Sequence, residues 1–275
     1  MTLNRGNVFQ LFKYAVYTLL TVNIFIFWRE EFLAAQLQFS GNVPLLDMIE
    51  AYAATIDTAA WVVLLLMFEL ETYVLEDRHF TPPVRYSLHG IRFVCYVFIL
   101  YACYGYIVNL AWAYDVAVLP TLSDLCTIAG QHWSYAVDLD EYTALTTANC
   151  STFSSDTVFY QFAGMPALVD HTGLVEIQRL AWVDSINAIV WILIVVILEI
   201  DVRLQEREML VGMAYKVSSG LKFLFYSVLF LAAVYWGIKG DFVDFWDAFL
   251  WLLAFFFIEM NVIEWRAEDL EKAEG

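Results

Sequence analysis

The chain has 275 residues, of which 61% are hydrophobic and 17% aromatic, and its formal net charge is −17. Its mean hydropathy of +0.63 excludes an ordinary soluble domain of this length, because the surface of such a domain must be mostly hydrated. The negative charge argues against binding to nucleic acid and against a polybasic surface that binds lipid headgroups. The sequence therefore predicts an integral membrane protein, with the lipid bilayer as its first partner.

Six apolar segments are long enough to cross a bilayer, at about 20 residues per span. They are residues 10–28, 53–74, 92–113, 182–202, 221–238 and 245–264. The first apolar run, from Phe9 to Trp28, is of spanning length and has no small-residue cleavage site after it, so we expect a retained helix rather than a signal peptide. The predicted fold class is an all-α integral membrane protein with six transmembrane helices.

The distribution of Lys and Arg predicts the orientation of these helices. Most basic residues fall on one side of the six segments, and only Arg29, Arg179 and Lys239 fall on the other. The positive-inside rule then places both termini in the cytoplasm. Residues 114–181 become a long external loop, and the predicted location is a bacterial inner membrane with this loop in the periplasm.

The external segment 114–181 is the only one long enough to form a small domain. It contains Cys126 and Cys150, and a disulfide between them would close a loop of about 24 residues, worth about 3 kcal/mol. The segment also carries possible metal ligands, but their spacing matches no standard pattern, so we expect a solvated loop rather than a metal site. These residues are His132, His171, Asp138, Asp140, Glu141 and Asp170.

One polar pattern recurs in each even-numbered segment: an Asp or Asn, a Trp four residues later, a Glu eight residues after the Trp, and a further acidic or amide residue two positions on. The first polar set is Asp57, Asn187 and Asp247. The tryptophans are Trp61, Trp191 and Trp251. The glutamate set is Glu69, Glu199 and Glu259, and the last polar set is Glu71, Asp201 and Asn261.

The odd-numbered segments share a weaker pattern, in which a basic residue is followed by an aromatic residue and by a Tyr four positions on. The basic residues are Lys13, Arg92 and Lys222. Together the two patterns predict three tandem, parallel two-helix hairpins in a pseudo-threefold arrangement about the membrane normal. The predicted hairpins are residues 1–78, residues 79–207 with the loop 114–181, and residues 208–275 with an acidic cytoplasmic tail.

A structural interpretation pairs the basic residues with the glutamate set. Each basic residue begins an odd helix on the side where the even helices end, so Lys13, Arg92 and Lys222 can each pair with the glutamate of their own hairpin. A carboxylate at a helix C-terminus near hydrocarbon needs such a partner. Helical geometry points the glutamate set about 160° away from the last polar set, so we expect the two sets to face different neighbours.

A functional interpretation takes the same residues as a cation pathway. The first and last polar sets would form two polar rings about the pseudo-threefold axis, or the glutamate set would form one carboxylate ring, and rings of carboxylates favour cations. The segments between the rings are apolar, which argues against a continuous water-filled pore. The favoured function is a cation channel or cation-coupled transporter.

Enzymatic function has less support in the sequence. The chain lacks a G-x-S-x-G elbow, an H-E-x-x-H zinc motif and a glycine-rich phosphate loop, so no catalytic residue, cofactor or metal is predicted. The alternative function is a non-catalytic structural or accessory subunit, within a homo-oligomer or a larger membrane complex. In that case the apolar residues 117–122 and 159–162 of the external loop could dock a partner or pack on the membrane surface.

Overall fold

The computed structural model describes the backbone of residues 5–38, 48, 51–70, 82–120, 122, 124–139, 141–153, 158–207 and 209–274. Within these ranges it describes all side chains except those at residues 5–8, 37–38, 85, 202, 205–206 and 261–274. The chain divides into two compact units, residues 24–188 and residues 1–23 together with 189–275. Each unit is described by itself below.

Long helices account for most of the described chain, because a backbone in lipid must satisfy its hydrogen bonds within its own segment. They are α1 (Arg5–Gln38), α2 (Ala53–Glu69), α3 (Pro82–Trp112), α5 (His171–Glu206), α6 (Gly212–Lys239) and α7 (Phe242–Glu274). All six predicted segments are thus helical wherever they are described.

Four helical stretches among the described residues are long and apolar enough to cross a membrane, which indicates a membrane protein. They are Phe9–Gln36, Pro82–Trp112, His171–Asp201 and Gly212–Lys239. Helix α2 is 17 residues long, and α7 carries Asp244, Asp247 and Glu259 within residues 242–259. Spans at α2 and α7 therefore stay predictions, as do the threefold repeat, its three hairpins and the orientation in the membrane.

The fold departs from the all-α prediction between α3 and α5, where five short strands form one sheet. The elements are β1 (Val116–Leu119), a 3₁₀ turn (Leu125–Thr127), β2 (Ser134–Ala136), β3 (Tyr142–Ala144), the one-turn helix α4 (Cys150–Phe153), β4 (Phe159–Phe162) and β5 (Ala167–Asp170). The strand order is β1-β4-β5-β2-β3, with β2 and β5 parallel and the other pairs antiparallel.

The sheet corrects the interpretation of residues 159–162 as a docking segment. Phe159 and Phe162 are fully buried, and they point to opposite faces of the sheet because side chains alternate along a strand. Phe162 joins a cluster with Ala34 of α1, Ala113 and Ile177 of α5, whereas Phe159 joins the cluster around Cys150. The ring of Trp112 stacks on Phe162 with centroids 4.4 Å apart. Residues 117–122 include most of strand β1, which pairs with β4.

The end of β5 leads directly into α5 through Asp170. The Oδ1 atom of Asp170 accepts a hydrogen bond of 2.7 Å from the backbone N–H of Gly173, which caps the first turn of the helix. A side chain at Gly173 would not fit, because a Cβ there would lie 2.6 Å from Val169 Cγ2. Tyr135 of β2 hydrogen-bonds to Asp170, and its burial beside this carboxylate raises the pKa of the phenol. Asp170 therefore ties the sheet to α5.

The predicted disulfide between Cys126 and Cys150 is confirmed, with the two Cα atoms 4.9 Å apart. It links the 3₁₀ turn to α4 at the edge of the cluster that contains Leu125, Leu145 and Phe159. Cys95 and Cys103 remain thiols and are buried in α3. The disulfide therefore joins the two longest strand connections of the sheet, β1–β2 and β3–β4, to each other.

Replacing both Cys126 and Cys150 with Ser is expected to lower the free energy of unfolding of the sheet by about 3 kcal/mol. The disulfide closes a loop of 24 residues, and without it the unfolded segment gains conformational entropy. Protease digestion of detergent-solubilised protein at increasing temperature would measure the change. The Cys103→Ala variant is the control, since it loses a buried thiol of α3 and keeps the disulfide. Equal resistance of the double variant and the wild type would contradict the expected role.

Helix α2 is capped by a side chain of α1 rather than by its own N-terminal residues. Tyr52, which precedes α2, makes no side-chain cap. Instead Glu31, a buried residue, accepts hydrogen bonds from Ala54 N–H at 2.8 Å, from Thr55 N–H at 3.1 Å and from the Thr55 hydroxyl. One carboxylate thus satisfies three donors at the start of the helix, where the macrodipole also favours a negative charge.

Two glycines with positive φ shape the turns of the other unit. Gly240, at φ +90°, ends α6, and the Trp236 carbonyl accepts from the N–H groups of Gly240 and Asp241. The chain then enters α7 almost at once, so α6 and α7 are antiparallel neighbours. Gly212, at φ +55°, begins α6, and residues 207 and 209–211 before it are not helical. These turns separate α6 from α7 and from residues 189–206 of α5, which belong to the same unit.

Candidate functional site

Lys222 of α6 contacts carboxylates from two other helices. Its Nζ atom lies 3.0 Å from Glu259 Oε2 on α7 and 3.2 Å from Asp201 Oδ2 on α5. The three side chains are 15%, 19% and 8% exposed for Lys222, Glu259 and Asp201. We call this group the Asp201–Lys222–Glu259 cluster. Its two carboxylates and one ammonium group carry a formal net charge of −1.

Two hydroxyl groups complete the face of α6 that meets the carboxylates. The Ser218 hydroxyl donates to Asp201 Oδ2 at 2.6 Å, and the Tyr226 hydroxyl donates to Glu259 Oε1 at 3.3 Å. Ser218, Lys222 and Tyr226 are four residues apart, and side chains at this spacing lie above one another on a helix. One stripe of α6 therefore presents a hydroxyl, an ammonium and a hydroxyl.

One carboxylate oxygen of the cluster lacks a hydrogen bond. Asp201 is 6% exposed, and its Oδ1 atom is buried without a hydrogen-bond partner, whereas Oδ2 accepts from Ser218 and contacts Lys222. Buried polar atoms are nearly always satisfied, so this oxygen needs an explanation. A net negative charge among buried groups of membrane helices is also costly. A cation at the cluster would compensate this charge.

The structure brings together residues that the sequence placed in different sets. Lys222 and Glu259 are the pair expected within the third predicted hairpin, and they lie in contact. Asp201 belongs to the last polar set, which was expected to face a different neighbour. That expectation is wrong here. The angle of about 160° separates two positions on the same helix, whereas Asp201 lies on α5 and Glu259 lies on α7, so both can contact Lys222.

A second polar contact of this unit lies near the start of α7. The Asn23 Nδ2 atom donates to Asp247 Oδ1 at 2.8 Å, and the side chain of Trp251 also hydrogen-bonds to Asp247. Asn23 is 1% exposed. Sequence reasoning missed it, although a single Asn within the apolar run of α1 is a visible signal. Asp247 and Trp251 are four residues apart, so their side chains are neighbours on one face of α7.

An apolar layer separates Asp247 from the cluster. Positions 247 and 259 of α7 are twelve residues apart, which corresponds to about 18 Å along the helix axis. Apart from the indole N–H of Trp251, the side chains that α7 buries in this interval are apolar, namely Ala248, Leu250, Ala254, Phe255 and Phe257. The rings of Trp191 and Phe255 pack there with centroids 4.6 Å apart.

The remaining predicted site residues have other environments. Glu199 forms an ion pair of 2.9 Å with Arg203, one turn further along α5, and both side chains are at least half exposed. The Oδ1 atom of Asn187 is buried without a hydrogen-bond partner.

Four further predicted residues have interaction partners: Lys13, Asp57, Glu69 and Arg92. Of these, Lys13 and Glu69 are buried. Glu71 and the side chain of Asn261 lie outside the described residues. The predicted rings stay predictions.

The acidic and histidine residues of segment 114–181 serve local structure where the chain is described. Asp170 caps α5, and Asp138 Oδ1 accepts from the backbone N–H of Leu139 at 2.6 Å. His132 adopts φ +63° in a turn. Asp140 lies outside the described residues. In the described part of the chain, no group of three or more His, Cys, Asp or Glu residues is placed to hold a metal ion.

Comparison of the chain with protein-family models, with curated proteins and with solved structures finds no match. The function must therefore be inferred from the residues themselves.

Proposed function

We propose that this membrane protein is a cation-coupled transporter and that the Asp201–Lys222–Glu259 cluster is its cation-responsive site. The observation that carries the proposal is the sharing of one partly buried ammonium by two carboxylates from different helices. Asp201 ends one candidate span and Lys222 lies within another. Ionisable groups in such positions commonly mark ion pathways or proton relays.

A purely structural role explains the cluster less well. A buried ion pair contributes little net stability, because desolvation of the charges offsets their attraction, and an apolar set of similar volume often serves as well. The cluster also has one carboxylate too many for its single ammonium and leaves Asp201 Oδ1 without a partner. A site that binds and releases a cation would retain both features.

Coupled transport is favoured over an open channel. An open pore along α7 would need water across the apolar interval between Asp247 and Glu259, about 18 Å long, where Leu250, Phe255 and Phe257 are buried. A transporter does not need such a column, because its binding site is exposed to one side of the membrane at a time. We therefore place the cation site at the cluster and not along a continuous path.

A structural or accessory subunit is the second candidate. The observation that favours it is the folded sheet between α3 and α5, which the disulfide and the Asp170 cap hold as a rigid module. Strand β1 forms one edge of this sheet, and Val118 on it is 54% exposed. A free edge of this kind can pair with another chain.

Cation flux into liposomes that contain the purified protein tests the transporter proposal. Each ion is driven in turn by its own gradient, and flux is compared among wild type, Asp201→Asn and Glu259→Gln. We expect wild-type flux and at least about a tenfold loss in both variants, equivalent to about 1.4 kcal/mol. The matched control is Glu176→Gln, which removes a carboxylate from the exposed Glu176–Arg179 pair of α5 and should not change flux.

The proposal fails if folded wild-type protein carries no cation under any gradient, or if both cluster variants transport as well as the control. The accessory-subunit candidate then becomes the better one. Crosslinking at β1, through a photoreactive residue placed at Val118 in intact membranes, would test it by asking whether one defined protein is captured. The same residue placed at the buried Leu168 is the control.

A further inference from the structure

We infer that the cation taken by the Asp201–Lys222–Glu259 cluster is a proton, bound at Oδ1 of Asp201, and not a metal cation. The inference rests on the proposed function for its role in transport. Proton binding itself is independent of flux, so the two can fail separately.

Lys222 already occupies the position that a metal cation would need. Its Nζ lies 3.0 Å from Glu259 Oε2 and 3.2 Å from Asp201 Oδ2, so the ammonium bridges the two carboxylates. A metal cation that shared these oxygens would lie close to a fixed positive charge in a poorly screened setting, where like charges repel strongly. The cluster thus resists a second cation of this size.

The number of available oxygens also favours a proton. Calcium takes six to eight oxygen ligands and magnesium requires near-octahedral coordination. In the cluster, both oxygens of Glu259 and Oδ2 of Asp201 already accept hydrogen bonds from Lys222, Tyr226 or Ser218. Asp201 Oδ1 is the remaining carboxylate oxygen. One free oxygen can bind a proton, but it cannot coordinate a metal ion.

The charge of the cluster matches the uptake of one proton. Two carboxylates and one ammonium carry −1, so a single proton makes the cluster neutral, and burial favours the neutral state. In this step the Asp201 carboxylate takes a proton from hydronium at Oδ1; one O–H bond forms, one O–H bond of hydronium breaks, and water leaves. Lys222 stays an ammonium and Glu259 stays a carboxylate.

Protonation would change the contacts between helices. A neutral Asp201 attracts the Lys222 ammonium less, so Lys222 remains held mainly by Glu259 of α7. The contact between α5 and α6 through Ser218, Lys222 and Asp201 would loosen, whereas the contact between α6 and α7 would persist. Such a proton-dependent change between two helices is a physical means of coupling proton binding to a conformational step.

In the described contacts of this unit, Lys222 is the charged partner of Asp201. Glu199 and Arg203, on the same helix as Asp201, pair with each other at the surface. Lys216 of α6 is exposed, and the buried Lys13 of α1 has interactions of its own. Among the contacts that the structure describes, the titratable groups of the cluster are its own members and the Tyr226 hydroxyl.

Infrared difference spectroscopy of the full chain in liposomes tests the inference. The carboxylic acid C=O band is recorded as a function of pH for wild type, Asp201→Asn and Glu176→Gln. The chain has 31 Asp and Glu residues, so the Asp201 signal is read from the difference between wild type and each variant. We expect wild type to gain a component of this band as the pH falls that corresponds to one proton per chain, that Asp201→Asn lacks and that Glu176→Gln retains. Millimolar Na⁺, K⁺ or Ca²⁺ should leave its midpoint unchanged.

The Ser218→Ala variant keeps the test decisive if Asp201→Asn does not fold. It removes a donor to Oδ2 that favours the ionised carboxylate, so the midpoint should move to higher pH by about one unit, a tenfold change in proton affinity. The inference is overturned if Asp201→Asn retains the whole wild-type band, if the midpoint ignores Ser218→Ala, or if a metal cation displaces the proton.

Separate outcomes distinguish the inference from the proposed function. A titrating Asp201 in a protein without any cation flux would contradict the transporter proposal and leave the proton site intact. Flux of Na⁺, K⁺ or Ca²⁺ that is lost in Asp201→Asn and independent of a pH gradient would support transport and overturn the proton assignment.

Discussion

Replacing Lys222 with Met is expected to destabilise the unit that contains it by about 3–5 kcal/mol, because it leaves two buried carboxylates without their shared counter-charge. Asp201 and Glu259 are 8% and 19% exposed at their side chains, so water can replace the ammonium only in part. Methionine fills a similar volume, and the loss therefore reports on charge rather than on a cavity. Denaturant unfolding of the purified protein in detergent micelles, followed by tryptophan fluorescence, would measure it.

Two further variants assign this loss to the charges. In the Lys222→Met background, Asp201→Asn combined with Glu259→Gln removes both carboxylate charges and should recover most of the stability. The matched control is Arg203→Met, which breaks the exposed pair with Glu199 and should cost at most about 1 kcal/mol. Equal effects of Lys222→Met and Arg203→Met would mean that the cluster is solvated and would remove the basis for a buried cation site.

The spacing of residues along the chain could predict only contacts that neighbouring helices make within a hairpin. Lys222 and Glu259 satisfy that condition, since α6 and α7 are joined by a turn at Gly240. The Asp201–Lys222 contact depends on where α5 packs beside α6, and no periodicity in the sequence specifies that packing. The spacing within one hairpin therefore predicted one of the two ion pairs of the cluster, Lys222–Glu259, and did not predict Lys222–Asp201.

The sheet was missed for a different reason. Its strands are three or four residues long, which is too short for an alternating pattern to stand out against a loop. Strand β5 is buried along most of its length, so it has no polar face to alternate with an apolar one. The disulfide could be predicted because two cysteines in one external segment have few other partners.

The two carboxylates that cap helices, Asp170 and Glu31, differ in whether the local sequence could predict them. Asp170 caps α5 from the residue immediately before it, a position that sequence rules recognise. Glu31 caps α2 from another helix, 23 residues before Ala54, and no local rule links them. Both carboxylates nevertheless obey the same physical requirement, because the first N–H groups of a helix have no acceptor within the helix.

Replacing Glu31 with Ala is accordingly expected to destabilise the unit of residues 24–188 by about 3–5 kcal/mol, since three donors lose their acceptor and each buried unsatisfied donor costs about 1–3 kcal/mol. The donors are Ala54 N–H, Thr55 N–H and the Thr55 hydroxyl. Hydrogen exchange followed by mass spectrometry should show the largest loss of protection in the first turn of α2, and the loss should decline toward Glu69.

Further variants distinguish the loss of the hydrogen bonds to Glu31 from the loss of a buried side chain in general. Glu31→Gln keeps one carbonyl oxygen in place and should recover about half of the loss, whereas Thr55→Val removes one donor and should cost about 1 kcal/mol. Glu30→Gln, at an exposed neighbouring position, should change stability by less than about 0.5 kcal/mol. If Glu31→Ala and Glu30→Gln have equal effects and α2 keeps its protection, the start of α2 is held by something other than this carboxylate. In that case the helix would be anchored by its packing on α3, where Gly105 lies against Ala53.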